Sequence, residues 1–175
     1  MDNLKYLEHV VELGKVQAAT TPEEMSGAFD AFNGFLGLYY DLAKMELQKA
    51  GIDTPPIRNF AIDKALERID ARLDCADFTI PALIRMLREH RGTRLNEEQA
   101  QKIEQSLIHF KYWLDEPGDV HACFFTENHQ ILYHSAEYLV GQMYPDVVFP
   151  NNGMTGAEHH AVSYTHLRAH ETLMN

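Results

Sequence analysis

The chain has 175 residues, enough for one globular domain, and 45% of them are hydrophobic, so a real core can be buried. Its formal net charge of −11 speaks against nucleic acid and anionic membranes, both of which call for Lys- and Arg-rich surfaces. Two cysteines, Cys75 and Cys123, make no disulfide framework and suit a reducing compartment. The N-terminus, MDNLKYLEHVVELGK, has neither the cationic start nor the apolar centre of a secretory signal. No apolar run approaches the roughly 20 residues that span a bilayer. The expectation is a cytoplasmic protein with no nucleic-acid or membrane partner.

Residues 3–18 carry a short amphipathic pattern. A long helix is predicted next, with Thr21 as cap, Pro22, Glu23 and Glu24 in the first turn and Gly51 at the end. Its apolar stripe is Phe29, Phe32, Leu36, Tyr39, Ala43 and Leu47, at spacings of three and four. The DTPP run at 53–56 breaks the pattern. Helices are predicted again at about 58–74, 80–91 and 97–113, with Pro81 in the first turn of one and Asn96 capping another. Residues 115–125 read as a loop around Pro117-Gly118. A further helix follows, from Thr126 to about Tyr144-Pro145, and PDVVFPNNGMTG after it is rich in turn formers. Nothing reads as a strand. The fold class expected is all-α: a helical hairpin array, part of an (α/α) toroid, truncated.

The last fourteen residues, VSYTHLRAHETLMN, resemble translated sequencing-adapter sequence found at the ends of unrelated predicted proteins. On that resemblance the domain is residues 1–161, and residues 162–175 are a non-native tail. His166 and His170 lie four apart in it, but a zincin helix places Glu directly after its first His, and Leu167 stands there. No metal ligand and no cofactor are expected.

The segment TENHQILYH opens the most apolar helix with polar residues. On a helical wheel Leu132, Ala136, Leu139, Val140 and Met143 share one side. Glu127, Gln130, His134, Glu137 and Gly141 form a stripe on the other. Asn128 and His129 flank the apolar side at its N-terminal end and are expected to turn inward. Buried polar groups must be hydrogen-bonded. In the first turn they sit beside free backbone N–H groups and the positive end of the dipole, which favours a neutral imidazole and attracts a carboxylate. Two readings stay open: a tie to the loop at 115–125, or a ligand site. His134 with Glu137 reads as a solvated pair, Asp115-Glu116 as a turn, His159-His160 as surface residues and Cys123 as a packed thiol. A di-iron bundle requires Glu-x-x-His units that the chain lacks. No phosphate loop, dinucleotide fingerprint or nucleophile elbow is present.

Four segments, LDCADFTIPALIRML (73–87), FKYWLDEPGD (110–119), TENHQILYHSAEYLVGQMYPDVVF (126–149) and GMTGAEHH (153–160), resemble a family of large, uncharacterised bacterial proteins. More distantly, Asn128-His129 is similar to the Asn-His pair of toroid polysaccharide lyases of the alginate lyase and heparinase type. The resemblance implies β-elimination on a uronate glycan, with Asn128 neutralising the carboxylate and His129 as base. It implies an acidic polysaccharide or oligosaccharide as partner; Gln130, Tyr133 and Trp113 are the candidate contacts to it, Trp113 reading either as core or as a ring that stacks on a sugar beside a cleft. A glycoside hydrolase with Glu127 as acid and a non-catalytic helical scaffold are the alternatives.

Overall fold

The computed structural model describes residues 11–16, 19, 36–57, 60–119 and 121–173. They fold into α1 (Leu36–Lys49), α2 (Phe60–Asp70), a 3-10 turn (Ala76–Phe78), α3 (Ile80–His90), α4 (Glu97–His109), α5 (Glu127–Met143) and α6 (Gly156–Leu173). Residues 11–16 are also helical. Among the described residues the only β pairing is three isolated bridges, so the fold is all-α. The expected start of the first long helix, Thr21 to Phe32, lies outside the described residues.

Helix α3 is the centre. Ile80, Ala82, Leu83, Ile84, Met86, Leu87 and His90 bury a broad face, while Arg85, Arg88 and Glu89 line an exposed stripe. It packs against α1, α4 and α5, and α2 packs against α1 and α4. Helix α2 buries Ala61, Ile62, Ala65, Leu66 and Ile69 on one face. It stops at Asp70 rather than at about 74, because Arg72 (φ 51°) and Cys75 (φ 63°) adopt the left-handed conformation.

Helix α4 begins as expected: the Asn96 side chain accepts the Gln99 backbone N–H at 2.9 Å. Asn96→Ala is therefore expected to cost about 1 kcal/mol in urea unfolding. No loss would mean that water replaces the cap. The helix ends four residues before the expected Trp113. The Glu116 carboxylate takes the N–H groups of Tyr112 (2.9 Å) and Trp113 (3.1 Å), which a continuing helix would give to its own carbonyls. The Tyr112 hydroxyl donates to the Leu107 carbonyl at 2.8 Å and satisfies one of the orphaned acceptors.

Helices α5 and α6 form an antiparallel hairpin. Gly141 meets Gly156, Tyr138 stacks near His160 (4.0 Å between rings), and His134 stacks on His166 (4.3 Å). A capping box starts α6: Glu158 Oε2 accepts the Thr155 N–H at 2.7 Å, and the Glu158 N–H points to Thr155 Oγ1 at 3.3 Å. The helix runs without a break past Ala161, and Ser163, fully buried, donates to the His159 carbonyl at 2.8 Å. No helix among the described residues is long and apolar enough to cross a membrane.

Candidate functional site

Helix α5 carries a polar cluster at each of two places. The first is at its N-terminus. His129 is buried, and its Nδ1 lies 2.6 Å from Oδ2 of Asp77, which is wholly buried on the 3-10 turn. The Phe78 ring packs edge-on against the imidazole at 5.3 Å. Burial pushes the Asp77 carboxyl above the ordinary carboxylate range, and the bond from His129 pulls the other way. Asp74 turns one oxygen to the Cys123 N–H at 2.9 Å. Burial and the neighbouring Asp74 and Asp77 push the Cys75 thiol up to about 11, so Cys75 is a poor thiolate nucleophile at neutral pH.

The structure divides the sequence-predicted site residues. His129 turns inward as expected. Asn128 does not: its side chain is exposed, beside the exposed Glu127. That corrects the wheel, on which both Asn128 and His129 point to the core. No described element covers the first turn on the Asn128 side. Thr126 stands at the N-cap position but its side chain makes no capping bond. Gln130 is half-buried. Tyr133, expected at the substrate, is fully buried, its ring stacked near Phe124 (4.5 Å) and Phe110 (5.9 Å), and so belongs to the core. Trp113 is half-buried and lies away from His129, with Phe124 (5.5 Å) and then Tyr133 between them.

The second cluster lies inside the α5–α6 hairpin, where the sequence places only solvated groups. His134, Glu137 and His159 are all buried, which corrects their reading as an exposed pair and a surface histidine. His159 Nδ1 lies 2.8 Å from Glu137 Oε1, and its Nε2 lies 3.1 Å from Asn152 Oδ1. Burial is the largest influence on the Glu137 carboxyl and pushes it up. His134 and His159 outweigh it and hold the group below the usual glutamate value. Glu116, read as part of a turn, is buried too. Besides its two backbone bonds, its Oε2 accepts from Asn151 Nδ2 at 2.7 Å. Arg72, left-handed at the end of α2, reaches across to Asn151 Oδ1 at 2.8 Å and ties the two parts of the chain. A pocket of about 160 Å³ opens beside Trp113, Glu116, Glu137 and Asn152.

One signal for this second cluster was present in the sequence. Thr155-Gly-Ala-Glu158 is a capping box, and it announces a helix that carries His159 one turn in. No protein-family model, curated protein or solved structure matches the chain.

Proposed function

We propose that the chain is part of a cytoplasmic, carbohydrate-active protein of the (α/α) toroid class, and that it cleaves uronate glycans by β-elimination with His129 as base. The observation that carries this reading is the 2.6 Å contact between Asp77 and His129 Nδ1. A carboxylate there holds the proton on Nδ1 and leaves the Nε2 lone pair to accept a proton, as the acid of a catalytic triad does for its histidine. The exposed Asn128 and the first-turn N–H groups, which Thr126 does not cap, are the donors for the uronate carboxylate. Neutralising that charge is what makes the C5 proton removable, and donors aimed at developing charge contribute most in such reactions.

A scaffold without catalysis is the second reading. It is favoured by the burial of the pair: Asp77 is 0% and His129 7% exposed, which also suits a tie between the 3-10 turn and α5. The hydrolase alternative asks Glu127 to be a desolvated acid facing a second carboxylate, whereas Glu127 is exposed. Incubation of the full-length gene product with uronate polymers, followed by the ultraviolet absorbance of the unsaturated product, separates these readings. His129→Ala is expected to lower turnover by roughly 10²–10⁴-fold, the range for loss of a positioned base. Asp77→Asn is expected to lower kcat with KM little changed. Absence of product from every uronate polymer, or variants as active as the wild type, would sink the lyase and leave the scaffold.

A further inference from the structure

The cluster inside the α5–α6 hairpin plays no part in that chemistry, and its donors are arranged for a cation. Glu116, Glu137 and His159 each offer a ligand atom, all within 4.8 Å of one another, and all three residues are buried. Among the described residues neither carboxylate has a Lys or Arg ion partner; those of Glu137 are His134 and His159. The nearby Lys111 donates to the Gly118 carbonyl instead. Two buried carboxylates whose ion partners among the described residues are imidazoles, not a permanent cation, sit in a desolvated place where a bound cation would balance them.

The hydrogen bonds of His159 sharpen this. Asn152 Oδ1 accepts the Met154 backbone N–H at 3.0 Å, so it is fixed as an oxygen, and His159 Nε2 must carry the proton that faces it. Metal-binding histidines characteristically donate their second ring N–H in this way. Nδ1, aimed at Glu137 Oε1, then holds either a second proton or a metal. Independently of these three residues, His134 is 1% exposed and its Nδ1 has no hydrogen-bond partner. That atom points at Glu137 Oε2 from 3.6 Å, beyond hydrogen-bond reach, and Oε2 has no hydrogen-bond partner either. An unused nitrogen and an unused carboxylate oxygen thus face each other across a gap. The adjoining 160 Å³ pocket, lined in part by Glu116, Glu137 and Asn152, gives an ion a way in.

We propose that Glu116, Glu137 and His159 form a binding site for a divalent first-row transition-metal ion of zinc type, with the unpartnered His134 Nδ1 beside it at Glu137 Oε2. Mixed imidazole and carboxylate donors select this class over Mg²⁺ and Ca²⁺, which take oxygen ligands. The ion takes the Nδ1 lone pair of His159 that faces Glu137 Oε1, and the Nε2 N–H stays on Asn152.

The test is titration of the chelator-treated full chain with Zn²⁺ alone by calorimetry, and with Co²⁺ by visible absorption. One ion per chain is expected, with d–d bands for Co²⁺ and no thiolate charge-transfer band. His159→Gln and Glu137→Gln are each expected to weaken Zn²⁺ binding by more than about 100-fold, beyond what outer-shell partners give. His129→Ala and Cys75→Ser, at the other end of α5, should leave it unchanged. If a ligand variant fails to fold, the wild-type Co²⁺ spectrum still decides. No stoichiometric binding, binding that survives both ligand variants, or a thiolate band lost in Cys75→Ser would each overturn the proposal.

Discussion

Gly156→Ala is expected to destabilise the chain by about 2–3 kcal/mol, and Gly141→Ala by a similar amount, the upper range for overpacking. Alanine normally improves a helix by about 1 kcal/mol over glycine, so the sign itself is diagnostic. A Cβ on Gly156 would overlap the carbonyl oxygen of Tyr144 and stand 2.8 Å from its carbonyl carbon and 3.0 Å from the Gly141 oxygen. A Cβ on Gly141 would overlap the Gly156 oxygen and stand 2.8 Å from the His160 nitrogen. These neighbours are backbone, so no rotamer change relieves the contact. The hairpin must open, and the turn bonds from Gly156 N–H to Val147 (2.9 Å) and from Ala157 N–H to Pro145 (3.0 Å) are strained with it. Urea unfolding of the two variants checks this. A midpoint that rises would show that the helices do not meet at glycine. Because Glu137 on α5 and His159 on α6 face each other across the same seam, opening it also spreads the inner polar cluster.

The same seam explains which parts of the architecture were legible in the sequence. Gly51, with φ 77°, Pro81 and Asn96 work locally, and local signals read correctly: α1 ends, α3 starts and α4 starts where they indicate. Helix ends set by distant groups did not read. Phe110 to Trp113 look helical until Glu116, three residues on, captures two of their N–H groups. The wheel of α5 erred for a related reason. It assumes one buried face, and on that assumption His134, Glu137 and Gly141 point to solvent. The helix is covered on two sides, by the core through Tyr133, Ala136 and Val140 and by α6 through the polar stripe. Gly141 within that stripe was a hint beside the capping box of α6, since a small residue on a polar face marks a close approach. At the other cluster, His129 turned inward as the wheel indicates. Its partner Asp77, 52 residues earlier on a 3-10 turn, has no sequence signature.

Glu116 and Glu137 should respond to acid in opposite directions, although they share one pocket. Removing Glu116 outright is the severe change. Glu116→Ala leaves the Tyr112 and Trp113 N–H groups and the Asn151 amide without their acceptor and is expected to cost about 3 kcal/mol, at roughly 1–3 kcal/mol per buried unpaired group with water offsetting part. The glutamine variants keep the shape and isolate the charge. Glu137 is held below the usual glutamate value, so its ionised form stabilises the fold. That contribution is full above the unfolded value near 4.5 and is lost as pH falls through the lower folded value. Wild type should therefore exceed Glu137→Gln most at neutral pH, and the gap should close in acid. Burial raises Glu116 against Asn151, His159 and its own backbone donors. Its contribution is full below the unfolded value and declines as pH rises through the folded one, so the gap between wild type and Glu116→Gln should widen in acid. Urea midpoints from about pH 3 to about pH 7, taken with a chelator present, give both curves. Gaps that move in the same direction would mean that the two carboxylates titrate as one pair sharing His159, and that the division of charge between the backbone-bound Glu116 and the histidine-bound Glu137 is not the one drawn from their contacts.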